Sequence, residues 1–382
     1  MSQPTFQHAL SRLIEIPSVS STLPDLDMSN LPVINELAAW FEVMGFQCEI
    51  QPLPHAPHKA NLIATLGSGP GGLVFAGHTD TVPYDESLWK SSPFALEERN
   101  NRFYGLGVCD MKGFFALVME AVREFLQAPL KAPLIILATA DEESSMNGAR
   151  ALAELGQPKA RYAVVGEPTG MRPIHMHKGI MMERIQILGQ SGHSSNPSLG
   201  RNAMETAHKV ITDLMQFRAE LAERYQNHGF TIPVPTLNLG CIHGGDNPNR
   251  ICGQCQLDFD IRLLPGMDSE QLRQQIRQRL KPIAEADQVA ISLESITPAI
   301  EAFSSQENSE LVAACEKLTG HQAESVAFGT EAPFFSRLGM DTVVLGPGDI
   351  DQAHQPDEYL SHDRINPMIG ILKSLIRQYC LS

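Results

Sequence analysis

Short, uninterrupted apolar runs alternate with helical periodicity along the first 173 residues. "LVFAG" (73–77), "PLIILATA" (133–140) and "YAVVG" (162–166) run apolar throughout, and "DTVVLG" (341–346) resembles them far downstream. Runs of this length without alternation predict strands buried on both faces, as in a parallel sheet covered by helices. Further strands are predicted at 46–53 and 61–67, and helices at 4–15, 32–44, 113–126 and 364–379. In 113–126 the residues Phe114, Leu117, Val118, Ala121, Val122 and Phe125 recur at helical spacing. From about 174 to 291 the pattern changes. "MERIQILGQ" (182–190), "TLNLGCI" (236–242) and "CQLDFDIRL" (255–263) alternate apolar and polar residues, as in an antiparallel sheet with one covered face. Two amphipathic helices, near 201–224 and 268–285, accompany them.

The pattern predicts an α/β fold. A mostly parallel-sheet domain with helices on both faces, residues 1–173 and 292–382, is interrupted by a smaller α+β domain, residues 174–291. The length of 382 residues agrees with more than one core. A net charge of −15, with no basic stripe to offset it, argues against nucleic acid and anionic membranes as partners. No run approaches the ~18 apolar residues of a membrane helix. "MSQPTFQHALSRLIEIPSVS" lacks the basic start and apolar core of a signal peptide. The seven cysteines are odd in number and scattered, which predicts reduced thiols and a cytoplasmic setting. Cys252 and Cys255 form a single CxxC inside a predicted strand, half of a structural zinc site at most, and read as core.

Ligand-type residues gather at the predicted strand ends. His78 and Asp80 follow strand 73–77, Glu142 and Glu143 follow 133–140, Glu167 follows 162–166, and His354 lies in the loop after 341–346. Asp110 comes just before helix 113–126. Each alone reads equally as a helix cap or a surface charge. The carboxyl ends of parallel strands share one edge, however, and ligands bind in the crevice outside it. Two histidines and three carboxylates suit a divalent ion such as zinc, cobalt or manganese, and number enough for a pair with one bridging carboxylate. Asp80 is then expected to accept the second ring N–H of His78. Of Glu142 and Glu143, one is expected to ligate and the other to move protons.

"GHTDTVP", "GVCDMKG", "ADEES", "GEP", "GHSSNP" and "AHQPDEY" resemble, in order and spacing, the co-catalytic zinc amidohydrolases and exopeptidases, the family of aminoacylases and succinyl-diaminopimelate desuccinylase. The resemblance runs from about residue 10 to the C-terminus. It implies two Zn²⁺ ions, with Co²⁺ able to substitute, bridged by Asp110 and completed by His78 with Glu167 and by Glu143 with His354. It also implies Glu142 as general base, a cis peptide after Asp110, and a lid and homodimerisation role for the inserted domain. His193, in "GQSGHSSNP", would stabilise the oxyanion in the partner subunit's site. One departure is Gly105-Leu106-Gly107, where the family often has Gly-Arg-Gly.

The activity implied is hydrolysis of a small N-acyl amino acid, N²-acetyl-L-ornithine foremost, placing the chain in arginine synthesis. A succinyl-diaminopimelate or broader aminoacylase substrate is the alternative, and a catalytically silent metal-binding scaffold the third reading. Lys178 and Arg262 are candidates for the substrate α-carboxylate, or else solvated strand-edge charges. Asn249, Gly329 and Thr330 are candidate contacts, the last two in a Gly-rich turn expected to offer free backbone N–H groups. Glu331 is expected to favour a cationic side chain on the substrate, or else to complement a helix dipole.

Overall fold

The computed structural model describes residues 3–381; residues 1–2 and 382, at the ends of the predicted outer domain, lie outside the described residues. The chain divides into two compact units. One comprises the chain up to His175, Ser305–Glu324 and the chain from Thr330 onward; the other comprises Met176–Ser304 and Ser325–Gly329. The second unit thus runs to Ser304, past the expected end at 291. Strand Ala290–Ser295 pairs with Gly179–Leu188, and beyond it Ile300 bridges Ile180. Residues 296–304 have no alternating pattern that would announce this.

In the first unit, strands Leu134–Thr139, Leu73–His78, Tyr162–Val165 and Asp341–Val344 lie side by side and parallel. Ala56–Leu66 and Gln47–Leu53 extend the sheet antiparallel beside Leu134–Thr139. The apolar runs are buried throughout because both faces are covered. Leu73, Phe75, Leu134, Ile136 and Val164 join one large core with helices Phe6–Glu15, Leu31–Val43, Lys112–Val122 and His362–Ile376. The alternate residues Val74, Ala76, Ile135, Leu137 and Val165 are equally buried on the opposite face. There helix Ala332–Arg337 packs on Asp341–Val344 and on helix Asn147–Leu155. A small separate sheet pairs Tyr359–Ser361 with Arg102–Tyr104.

The second unit is a four-stranded antiparallel sheet in the order Thr236–Gly244, Gln254–Leu263, Gly179–Leu188, Ala290–Ser295. Its inward residues Met181, Ile185, Ile187, Leu257, Phe259 and Ile261 form a core with helices Ala203–Arg224 and Ser269–Asp287. Cys252 and Cys255 belong to that core as free thiols. Glu183 also points inward with no exposed surface, and the Arg273 guanidinium meets it at 2.7 Å.

Gly166, which follows strand Tyr162–Val165, tests how tightly the first core is packed. A Cβ there would lie 2.4 Å from ring atoms of the buried Phe114. Gly166→Ala is expected to cost ~1–3 kcal/mol by overpacking, seen as a lowered urea midpoint against wild type.

Candidate metal centre

The parallel strands end level with one another. His78 is in register with Thr139, Ala76 with Val165, and Val165 with Val344. Whatever follows each strand therefore arrives at the same rim. His78 is the last residue of its own strand, Glu142 and Glu143 stand just past Thr139, and Glu167 stands two residues past Val165. The loop after Asp341–Val344 brings His354, and the segment entering helix Lys112–Val122 brings Asp110 across a cis Asp110–Met111 bond.

Asp110 faces a different histidine with each carboxylate oxygen. Its Oδ1 lies 3.0 Å from His78 Nε2, and its Oδ2 lies 3.6 Å from His354 Nε2. Glu167 Oε1 is 3.9 Å from His78 Nε2, and Glu143 Oε2 is 3.0 Å from His354 Nε2. Three sets bring their ligand-type atoms within 4.8 Å of one another: His78, Asp110 and Glu167; Asp110, Glu143 and His354; and His78, Glu142 and Glu143. The main-chain oxygen of Asp80, an acceptor only, is 3.0 Å from His78 Nδ1. That bond places a ring proton on Nδ1 and makes Nε2 the nitrogen that faces the cluster.

Burial, followed by repulsion from Glu167, raises the Glu142 carboxyl well above its ordinary range. Burial and the charges of Asp110 and Glu143 do the same to Glu167. Glu143 is raised by burial and by Asp110. Burial alone would lower His78, but its bond to Asp110 and the charges of Glu167 and Asp110 outweigh that and hold it well above 6.5. His354 is raised chiefly by its hydrogen bond to Glu143. Buried Oε1 atoms of both Glu143 and Glu167 have no hydrogen-bond partner in the protein. Crowded carboxylates with spare lone pairs and two imidazoles are the donor set of a divalent cation, which would relieve their mutual repulsion. The residues fit the metal that the sequence implies.

Supports around the rim differ from expectation in one respect. The Asp80 carboxylate does not hold His78; its Oδ1 is 3.7 Å from Nδ1. Its two oxygens instead accept the backbone N–H groups of Glu142 at 3.2 Å and Glu143 at 3.0 Å. Asp80 thus fixes the turn that carries both acids. Asp141, with φ of +61°, begins that turn. Its Oδ1 accepts the Ser20 hydroxyl at 2.9 Å and meets the buried Lys59 ammonium, which also reaches Asp27 at 2.5 Å. Lys59, Asp141 and Glu358 were not singled out by the sequence. The available signals were a lysine heading a buried strand, and an acid inside the "AHQPDEY" motif. In place of an arginine, Leu106 is buried and donates its N–H to Pro93.

Glu331 corrects another expectation. It has no exposed surface, its Oε2 accepts the Thr139 hydroxyl at 2.7 Å, and burial pushes it up to about 7. A substrate ammonium group has no path to it in this conformation. Thr330 is also buried, and its Oγ1 accepts the Ala332 N–H at 3.1 Å, so that this N–H is not free for a ligand. The remaining candidates belong to the second unit. His193 is exposed, and its Nδ1 accepts the Ser195 N–H at 3.2 Å, which leaves Nε2–H as a donor. The Ser194 N–H donates to the Asn249 carbonyl, holding Asn249 beside His193. Lys178 donates to the Val234 carbonyl at 2.8 Å and is lowered by burial and by the Arg262 charge, so the two cations are neighbours. Arg262 itself pairs with Asp260 at 3.1 Å. Gly329 lies against Ile180 and the Lys178 carbonyl, where a Cβ would come within 2.9 Å of Ile180.

Known proteins share this sequence and architecture. Residues 74–378 match the model of peptidase family M20/M25/M40. The chain is 48% identical to an acetylornithine deacetylase of Klebsiella pneumoniae (strain 342), covering 99% of this chain and 98% of that one. It is 46% identical to an acetylornithine deacetylase of Photorhabdus laumondii, with the same coverage. Among solved structures, an M20 family metallo-carboxypeptidase of Sulfolobus solfataricus has the same fold, with a TM-score of 0.77 at 19% identity over 99% of both chains. A dinuclear metal-binding M20 peptidase of Bacillus subtilis superposes with a TM-score of 0.69 at 15% identity, covering 98% of each chain. The family match over most of the chain and the near-full-length relatives agree: the protein belongs to peptidase family M20/M25/M40.

Proposed function

We propose that this chain is a metal-dependent amidohydrolase that cleaves N²-acetyl-L-ornithine into acetate and L-ornithine, a cytoplasmic step of arginine synthesis. The meeting of two histidines and four carboxylates at one strand-end rim carries the reading. The acetylornithine deacetylases at 46–48% identity support the substrate. His78, Asp110 and Glu167 would hold one divalent ion and Asp110, Glu143 and His354 the other; the set suits Zn²⁺, with Co²⁺ able to substitute. Such ions, when bound, supply Lewis acidity that polarises a carbonyl and acidifies a water.

Glu142 stands beside His78 and Glu143, and burial raises its carboxyl so that it holds a proton more readily than an ordinary glutamate, as a proton-transferring group needs. It takes a proton from the water whose oxygen adds to the acetyl carbon. It then passes that proton to the amide nitrogen as the C–N bond breaks, so that ornithine leaves as an amine and acetate as the acid fragment. His193, with Nε2–H free to donate, stabilises the charge developing on the carbonyl oxygen in the partner copy of a homodimer. The second unit serves as lid and dimerisation domain. Its edge strand Thr236–Gly244 supports association, since Ile242 there is 52% exposed. Lys178 and Arg262, neighbouring cations, provide the positive charge for the substrate α-carboxylate.

Burial of Glu331 removes the charge argument against anionic acyl chains, so a substrate panel decides the name. Release of acetate or succinate is followed from N-acetyl-ornithine, N-acetyl-methionine and N-succinyl-diaminopimelate in parallel, with and without chelator. Chelator-sensitive preference for N-acetyl-ornithine is expected; preference for another member moves the substrate, and chelator-insensitive turnover ends the metal reading. Glu142→Gln is expected to retain its metal by elemental analysis while kcat falls by roughly 10²–10⁴.

The ligand titrations give a further expectation. His78, Glu143, Glu167 and His354 are all raised in the metal-free protein, so each holds its proton to higher pH than usual. Metal must displace those protons, and raising the pH removes the competitor. Apparent Zn²⁺ affinity, measured by competition with a chromophoric chelator, should therefore climb between about pH 5 and 8. A flat profile would contradict this ligand set.

A further inference from the structure

Glu358 lies four residues beyond His354, and its carboxylate is buried at 1% exposure. It neither faces His78 nor pairs with a cation at hydrogen-bond distance. Instead it collects three backbone N–H groups from the segment that leads into Asp110. Oε2 accepts from Gly107 at 2.9 Å, and Oε1 accepts from Cys109 at 2.7 Å and from Asp110 itself at 2.9 Å. The Glu358 carbonyl also accepts the Gly105 N–H at 3.2 Å. Directly after it, Tyr359–Ser361 pairs with Arg102–Tyr104, which locks the two segments at a fixed offset. Gly107 needs its φ of +85° to turn its N–H toward Glu358, and a Cβ there would come within 2.8 Å of Lys112 and 2.9 Å of Thr81.

We infer that Glu358 is a positioning residue that sets the distance between Asp110 and His354, so that the Asp110 carboxylate can serve both histidines at once. The inference rests on reading the rim as a two-metal centre. The physical reason lies in the geometry of Asp110. Its two oxygens face different histidines at 3.0 and 3.6 Å, so a small rotation of its backbone would favour one partner and lose the other. Three N–H bonds to one rigid carboxylate stop that rotation. They are donated by the same loop that carries Asp110 and accepted by the same loop that carries His354. A carboxylate suits the task better than an amide, because a glutamine offers a single acceptor oxygen to N–H groups that here are shared between two. Groups of this kind, one bond removed from the ligands, affect metal affinity by about 10–100-fold when altered.

The test titrates Co²⁺ alone into metal-free wild-type and Glu358→Gln protein, following heat and visible absorption, with N-acetyl-ornithine turnover and thermal unfolding measured beside it. In Glu358→Gln one of the two Co²⁺ affinities is expected to fall by about tenfold or more, with an altered absorption band, while the other stays close to wild type. Turnover with both sites filled should drop at least about tenfold in kcat with KM changed less than about threefold, because misplaced ligands distort the reacting geometry more than substrate binding. Glu358→Asp keeps the charge but falls one methylene short, and is expected to show the same affinity defect; it carries the test if the glutamine variant does not fold. A folded variant that binds both ions with wild-type affinity and spectrum overturns the inference. Wild-type protein that takes up no Co²⁺ overturns the two-metal reading itself, and the role of Glu358 with it.

Discussion

Like charges buried together are the central constraint on this fold. Asp110, Glu142, Glu143 and Glu167 converge on His78 at the end of a parallel sheet, and burial with mutual repulsion pushes Glu142, Glu143 and Glu167 toward their protonated forms. Such an arrangement persists only where the surrounding chain prevents the side chains from turning away. The level strand ends provide the first part of that restraint. Main-chain N–H groups provide the second, since Asp80 holds the backbone of Glu142 and Glu143, and Glu358 holds the backbone leading into Asp110. The negative charge is thus aimed by anions that bind backbone, not by cations that would compete with a metal.

One nearby cation is kept a step back. Lys59 meets Asp141 and Asp27 behind the acidic turn. Its ammonium neutralises the outer acids and leaves the inner ones uncompensated, so the negative potential is directed to one side of the turn. The second unit handles a buried charge in the opposite way: Glu183, inside the sheet, is simply paired with Arg273. A paired charge in a core serves packing, whereas unpaired charges at a rim leave a place for a ligand.

Much of this was legible in the sequence. Uninterrupted apolar runs indicated a parallel sheet, parallel sheets have one ligand-binding edge, and the residues just past the runs at 78, 142–143 and 167 are those that meet there. Asp110 and His354 sit in loops and were found by residue type and by motif. Less legible were contacts made through backbone. Nothing in the spacing of Asp80 says that its oxygens take the N–H groups of residues 62 and 63 positions later. The bonds from Gly107, Cys109 and Asp110 to Glu358 span some 250 positions and leave no periodic trace. The burial of Glu331 was hidden for a similar reason: its carboxylate accepts the Thr139 hydroxyl from 192 positions away, and the helix after it packs on Asn147–Leu155. The end of the inserted unit was missed because residues 296–304 pair only through one bridge at Ile300 and the two-residue strand Phe303–Ser304, too short to show alternation.

Because strand Asp341–Val344 docks beside Tyr162–Val165, the rim draws its last histidine, and the carboxylate that holds the Asp110 backbone, from far downstream. During synthesis, His78, Asp110, the acidic turn and Glu167 emerge long before His354 and Glu358. The early segments can pair their strands, but the anionic pocket they form is open on the side that the late loop closes. Non-local closure of this kind is slow compared with helix formation. An ion held by Asp110, Glu143 and His354 would therefore wait for the late loop, whereas the set of His78, Asp110 and Glu167 is complete without it, so the two sites would mature in order.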